Sequence, residues 1–254
     1  MRFQKFGTFG WALVLFAGLI AAQPAAADCS LSSFNGTYGV VLSGSLSSGQ
    51  QEAGVYQIDA DGLGLLSGTG TQSSNGTIET VTLSGSYSIA SNCTGTVTLR
   101  DQTNATSNYN VVLDNGKTEL QMIRVDPGYT LSGEAYSEGV TACGLTGKKA
   151  VYAKRLDGHT ISGDSTSPVS IVGEFVLNGS GAATATDTFS ENGVVTTDKL
   201  AGTYTASENC TGTAKITYKG TSYNFASVVV SAGKKLLLLE TDAGTVISGK
   251  AIEE

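Results

Sequence analysis

The chain has 254 residues, of which 33 are Gly and 3 are Pro, and only 15% are charged. An apolar share of 40% with so little charge excludes a disordered chain, which needs few apolar residues and strong net charge. A net charge of −7 lacks the basic footprint that neutralises phosphates, so no nucleic-acid partner is expected, and one His with four Cys leaves little material for a zinc site or a His-based triad.

The predicted elements begin with an export signal. Arg2 and Lys5 precede an apolar run from Trp11 to Ala22, followed by Gln23, Pro24 and three alanines ending at Ala27. A basic head, a short apolar segment and a small-residue site predict a secretory signal over 1–27, cleaved near Ala27. The mature chain is then expected to be secreted, periplasmic or at the cell surface. The apolar run is shorter than the roughly 20 residues that a membrane helix needs, and no later segment approaches that length, so no transmembrane segment is expected. Asp28, directly before Cys29, argues against a lipid anchor on that cysteine. The signal holds two of the 15 basic residues and none of the 22 acids, so the mature chain carries −9. It also takes the only Trp, leaving ten Tyr as the main aromatic material.

The remainder is one module written twice. The stretch from Leu83-Ser-Gly-Ser-Tyr87 to Cys93-Thr-Gly-Thr96 reappears from Leu200-Ala-Gly-Thr-Tyr204 to Cys210-Thr-Gly-Thr213. Cys29-Ser-Leu31 matches Cys143-Gly-Leu145, and Leu131-Ser-Gly-Glu-Ala135 matches Ile247-Ser-Gly-Lys-Ala251. The copies are collinear, and each is large enough to fold alone. Domains are expected at 28–138 and 143–254.

Within a copy, apolar residues alternate with Ser, Thr, Asn or Gly. Tyr38, Val40 and Leu42 share one face, as do Val81, Leu83, Tyr87 and Ile89, and then Tyr109, Val111 and Leu113. Period two marks strands with one buried and one wet face. Asp61-Gly62, Asn75-Gly76, Asn115-Gly116 and Asp126-Pro127-Gly128 supply turns. The first copy reads as eight strands at about 37–45, 52–59, 63–72, 77–90, 94–101, 107–114, 118–125 and 129–137, and no window has a helical period. Eight hairpin-linked strands form an up-and-down meander, and closure removes the exposed sheet edges. The expectation is all-β, with two tandem up-and-down antiparallel barrels and a flattened sandwich as the competitor. Gly85 and Gly202, midway along the fourth strand of each copy, suit a sharp bend or close packing.

Four Cys allow three pairings. Only Cys29–Cys93 with Cys143–Cys210 respects two equivalent modules. With no Cys-x-x-Cys and an exported context, these read as structural bridges rather than a redox dithiol.

These motifs, a Gly-Thr-Tyr entry strand, a Gly-Ser/Thr-Tyr strand and Cys-Thr-Gly-Thr, resemble repeats of exported bacterial proteins. Their strand order and size are similar to the calycin-like barrels, including the avidin, lipocalin and allene-oxide-cyclase-like families. The opening Cys143-Gly-Leu-Thr-Gly147 is similar to the start of avidin, whose Trp-lined ligand site has no counterpart here. The resemblance is architectural and implies no ligand residues.

The candidate chemistry is sparse. Asp59-Ala-Asp61-Gly62 resembles part of a calcium loop, but the twelfth position is Gly70, and the matching Asn178-Gly179-Ser-Gly181 lacks both acids, so a hairpin turn is expected. His159 sits in the turn-like Leu156-Asp157-Gly158-His159-Thr160 and reads as an exposed loop residue. Thr184, Thr186 and Thr188 read as an ordinary outward row, and Asn35, Asn75, Asn104 and Asn178 of the Asn-x-Ser/Thr sequons as turn residues. Neither a metal nor a cofactor is expected, and no catalytic residue is assigned. The leading expectation is an exported non-enzymatic binding or envelope-associated module, with a small apolar ligand or a cell-envelope component as partner. The alternative is a barrel isomerase or cyclase of allene-oxide-cyclase-like architecture on a small hydrophobic substrate, built from Glu119, Arg124, Tyr129 and Glu134.

Overall fold

A computed structural model describes residues 28–114, 116–139, 143, 145 and 147–254. The expected signal over 1–27 lies outside the described residues, as do the turn residue Asn115 and Ala142 at the expected boundary. Eight strands form the first sheet: β1 (Asn35–Leu46), β2 (Gln51–Asp61), β3 (Leu65–Ser74), β4 (Thr77–Ile89), β5 (Thr94–Asp101), β6 (Thr106–Leu113), β7 (Glu119–Arg124) and β8 (Tyr129–Ser137). The second comprises β9 (Ala150–Ser162), β10 (Ser165–Leu177), β11 (Ala182–Glu191), β12 (Val194–Ala206), β13 (Thr211–Tyr218), β14 (Thr221–Val230), β15 (Lys235–Glu240) and β16 (Thr245–Glu253). Each strand pairs antiparallel with its sequence neighbour, and each sheet closes on itself, β1 on β8 and β9 on β16. The result is two closed barrels rather than sandwiches.

Alternation explains the closure. Tyr38, Val40 and Leu42 of β1, and Tyr109, Val111 and Leu113 of β6, are buried among the core residues of the first barrel. Their neighbours face outward, as a pleated strand requires. Gly85 and Gly202 occupy equivalent tight spots: a Cβ there would lie 2.1 Å from the Thr98 carbonyl and 2.0 Å from the Lys215 carbonyl. Only glycine lets the next strand come so near.

The two copies repeat the same hydrogen bonds at matching positions. The hydroxyl of the buried Tyr38 donates to the Lys117 carbonyl, and that of Tyr152 to the Gly233 carbonyl. Asn108 donates backbone and side-chain N–H to the Asp126 carboxylate, as Asn224 does to Asp242. One end of each barrel is clamped by a bridge, Cys29–Cys93 with Cα atoms 5.1 Å apart and Cys143–Cys210 at 4.9 Å. Two disulfides suit an oxidising compartment. Among the described residues, no helix is long and apolar enough to cross a membrane.

The barrels share a second core. Ala53, Val55 and Tyr136 on the outer wall of the first barrel pack against Val228, Val230, Leu237, Leu239 and Val246 on the outer wall of the second. Polar contacts border this patch: Lys250 Nζ lies 2.6 Å from Glu134, and the Ala232 N–H donates to the Glu138 carbonyl. The Gly244 N–H donates to the Gly76 carbonyl, joining the β3–β4 hairpin to the β15–β16 hairpin.

Candidate functional site

The interiors of the two barrels differ. An eight-stranded barrel is just wide enough to be filled by side chains or to hold one small ligand. The first is filled: its interior cavity is about 60 Å³, with Phe34, Tyr56, Tyr109 and Met122 among the lining residues. Phe34 and Tyr38 rings lie 4.6 Å apart, and Phe34 meets Tyr87 edge-on at 5.1 Å. The second encloses a cavity of about 540 Å³, within the range of pockets for drug-sized ligands.

One row of three facing residues accounts for much of the contrast. In the first barrel, Val40 of β1 faces Tyr56 of β2, and Tyr56 faces Gly70 of β3. The Tyr56 ring fills the space over Gly70, where a Cβ would lie 2.4 Å from the ring. In the second barrel the same row reads Lys154, Gly173 and Asp187. The bulky ring is gone, and a Cβ at Gly173 would lie 2.2 Å from Asp187 Oδ1. The ring has been exchanged for an ion pair.

Lys154 and Asp187 are both buried, with Nζ 2.6 Å from Oδ2. Asp187 Oδ1 has no hydrogen-bond partner among the described residues. Burial raises the Asp187 carboxyl above the ordinary range, and Lys154 pulls it back only in part. Glu240 at the end of β15 is the third charged group of the interior, 4% exposed, and burial pushes its carboxyl up to about 8, with Asp242 adding to the rise and Lys154 opposing it. Much of the remaining wall is apolar or aromatic, including Val169, Ile171, Phe189, Tyr223 and Phe225, with Ser167, Glu191, Asn192 and Thr196 as polar members. Phe189 stacks on Tyr218 at 6.0 Å, near the mouth.

The residues expected from the sequence fall elsewhere. Arg124 points to the mouth of the first barrel, its guanidinium 2.8 Å from Asp126, 3.8 Å from Glu52 and 3.4 Å over the Tyr129 ring. Glu134 does not join it. It lies on the outer wall, with Lys250 and the Tyr136 hydroxyl as partners, beside a groove of about 370 Å³ between the barrels. Glu119 also faces outward, 3.8 Å from Lys235. A shared pocket of Arg124 and Glu134 is thus not formed.

Asp61 is a turn residue: its Oδ1 accepts the N–H groups of Leu63, Gly64 and Leu65, which hold its carboxyl below the usual range. Asn178 does the same for Ser180 and Ala182 in the second copy. Asp59 instead accepts the Thr37 hydroxyl on the outer face. No metal-ligating cluster occurs among the described residues. His159 is half-buried within β9 rather than in a loop, because that strand continues to Ser162, where the turn begins. Thr184 and Thr186 face outward on β11, and Thr188 there shares a hydroxyl contact with Thr197. Asn75 and Asn104 occupy positive-φ positions, whereas Asn35 begins β1.

In the sequence, Glu240 or Thr241 aligns with Arg124, whereas no motif marks Lys154 and Asp187. Inward parity on their strands was the available signal, since charged residues on a barrel's inner face are costly unless they are used or paired.

No family model matches the chain, and no curated protein sequence matches it. Among solved structures, the chain is similar to a redesigned β-barrel, mFAP1, bound to DFHBI. The identity is 17%, covering 42% of this chain and 96% of that one, with a TM-score of 0.30.

Proposed function

We propose that this protein is an exported, non-enzymatic binding protein whose second barrel holds one small, largely apolar ligand and whose first is a filled structural partner. The observation that carries this is the contrast of about 540 Å³ against about 60 Å³ in two copies of one module. Export follows the sequence pattern of residues 1–27 and agrees with the two disulfides. The units are 28–138 and 143–254, after the exported bacterial repeat proteins and calycin-like barrels that the sequence resembles. A cell-envelope component would be met by the outer walls. The isomerase or cyclase reading is the weaker one, since Arg124 and Glu134 sit on opposite faces of the first barrel's wall.

The test is titration with N-phenyl-1-naphthylamine, a neutral apolar dye that fluoresces in dry pockets, together with native mass spectrometry of the exported chain. One saturable site per chain is expected. The variant Lys154→Val/Gly173→Tyr/Asp187→Gly, which gives the second barrel the row of the first, should lose it. A wild-type chain that takes up no dye and carries no co-purified ligand overturns the reading.

A further inference from the structure

We propose that the ligand of the second barrel is a small organic monocation, an amine on an aromatic or apolar body, whose ammonium is received by the Glu240 carboxyl. This rests on the binding role proposed above and specifies its ligand class. The first observation is that Glu240 is buried, lines the cavity and has no hydrogen bond or ion pair among the described residues. A buried carboxyl left without a partner is costly, and a ligand that supplies one recovers that cost.

The second observation is the charge count. Lys154 and Asp187 neutralise each other at 2.6 Å, so Glu240, once ionised, is a charge with no counterpart in the interior. Glu191, also on the cavity wall, adds a further acid and no base. A monocation balances the ionised Glu240, whereas a carboxylate ligand would add a further negative charge.

The third comes from the other copy. The Asn108–Asp126 and Asn224–Asp242 contacts place Glu240 at the position of Arg124. In the first barrel that place carries a guanidinium held by Asp126 and Glu52 over the Tyr129 ring. In the second barrel the acid Asp242 is retained, the cation is replaced by an acid, and Tyr223, Phe225 and Phe189 stand around the space. The first barrel carries its cation on its own chain; the second has the anionic and aromatic surroundings of one. Aromatic faces favour cations, most strongly where water is excluded.

Binding should also move a proton. The groups acting on Glu240 are Lys154 from β9, Glu191 from β11 and Asp242 after β15, with Tyr223 of β14 coupled to it. Burial is the largest influence, and with Asp242 and Glu191 it outweighs Lys154, so at pH 7 the free protein holds this carboxyl largely protonated. An incoming ammonium favours the carboxylate, so the proton leaves to the buffer.

Three probes with one indole body separate the possibilities: tryptamine as the cation, tryptophol as the neutral alcohol and indole-3-acetate as the anion. Isothermal titration of the full disulfide-bonded chain at pH 7, in phosphate and in Tris, reads affinity and proton release together. Tryptamine is expected to bind one per chain, at least tenfold tighter than tryptophol, with indole-3-acetate weakest and with proton release approaching one. Glu240→Gln should erase both the preference and the release, and the wild-type ranking tests the proposal even if that variant does not fold. Equal affinities, tighter indole-3-acetate, or no indole binding while the dye still binds would overturn the ligand class alone. Failure of the dye and all three indoles overturns the binding role as well.

Discussion

Tyr56 lies directly across the sheet from Gly70, and its ring occupies the volume that a side chain at 70 would need. In the second barrel the small residue has moved to the other strand: Gly173 faces Asp187, and the carboxylate leans over the glycine. This facing pair contributes to the contrast between a packed barrel and a hollow one, because an eight-stranded wall is just wide enough to be filled by its inward side chains or to hold one small ligand.

Truncating that ring should hollow the first barrel. Tyr56→Ala is expected to cost about 3–5 kcal/mol, the range for deleting a buried aromatic, and to create a second site for the dye. Urea denaturation and dye stoichiometry measure both. A loss below about 1 kcal/mol would mean that the ring does not hold the interior.

Glu240 sets a pH dependence of stability. Its folded-state carboxyl titrates near 8 against an ordinary value of 4.5, so between these values the folded protein holds a proton that the unfolded chain has released. Stability contributed by this group is therefore present below about pH 4.5 and is lost as pH rises towards 8. A tenfold change in proton affinity is worth about 1.4 kcal/mol, which makes the loss a few kcal/mol. Glu240→Gln lacks the step, so denaturation at pH 5 and pH 8 should show the variant gaining on wild type at the higher pH. Asp187 is raised as well but is common to both proteins. Parallel pH profiles would rule out an unpaired buried Glu240.

The bridges close loops of similar size, with sequence separations of 64 and 67 residues. By chain entropy each stabilises by about 4 kcal/mol. Cys29→Ser/Cys93→Ser and Cys143→Ser/Cys210→Ser should each lower the melting temperature by many degrees under non-reducing conditions. Peptide mapping should recover only the pairs 29–93 and 143–210; any crossed pair contradicts the structure.

The shared wall makes the barrels a cooperative pair. A Cβ at Gly39 would lie 2.5 Å from a Val230 methyl and 2.7 Å from one of Val228, both on the other barrel. Gly39→Val should force the walls apart and split one calorimetric transition into two, since additive interfaces couple unfolding only while they are packed. An unchanged single transition would show that this patch does not couple them.

Much of the fold is legible in the residues themselves. Period-two runs and Asx-Gly turns predict strands such as 94–101 and 129–137, and the structure has Thr94–Asp101 and Tyr129–Ser137. Local sterics and alternation decide these, so they need no tertiary information. The run Leu236–Leu239 is a different case. Leu236 and Leu238 enter the second barrel's core while Leu237 and Leu239 enter the wall between barrels. A continuous apolar run signals burial on both faces but does not say what covers the second face. In sequence His159 reads as a turn residue because Gly158 precedes it, yet the pairing of β9 with β10 and β16 carries the strand past it.

By itself, then, the sequence determined the repeat, the strand pattern, the inward parity and the one bridge-compatible cysteine pairing, all of which depend on neighbours along the chain or on copy-to-copy symmetry. The tertiary structure alone decided which copy is hollow and where the charges meet. Lys154, Gly173 and Asp187 are far apart in sequence and become one row only when β9, β10 and β11 pair in register, and the cost of burying their charges exists only once the barrel around them has closed.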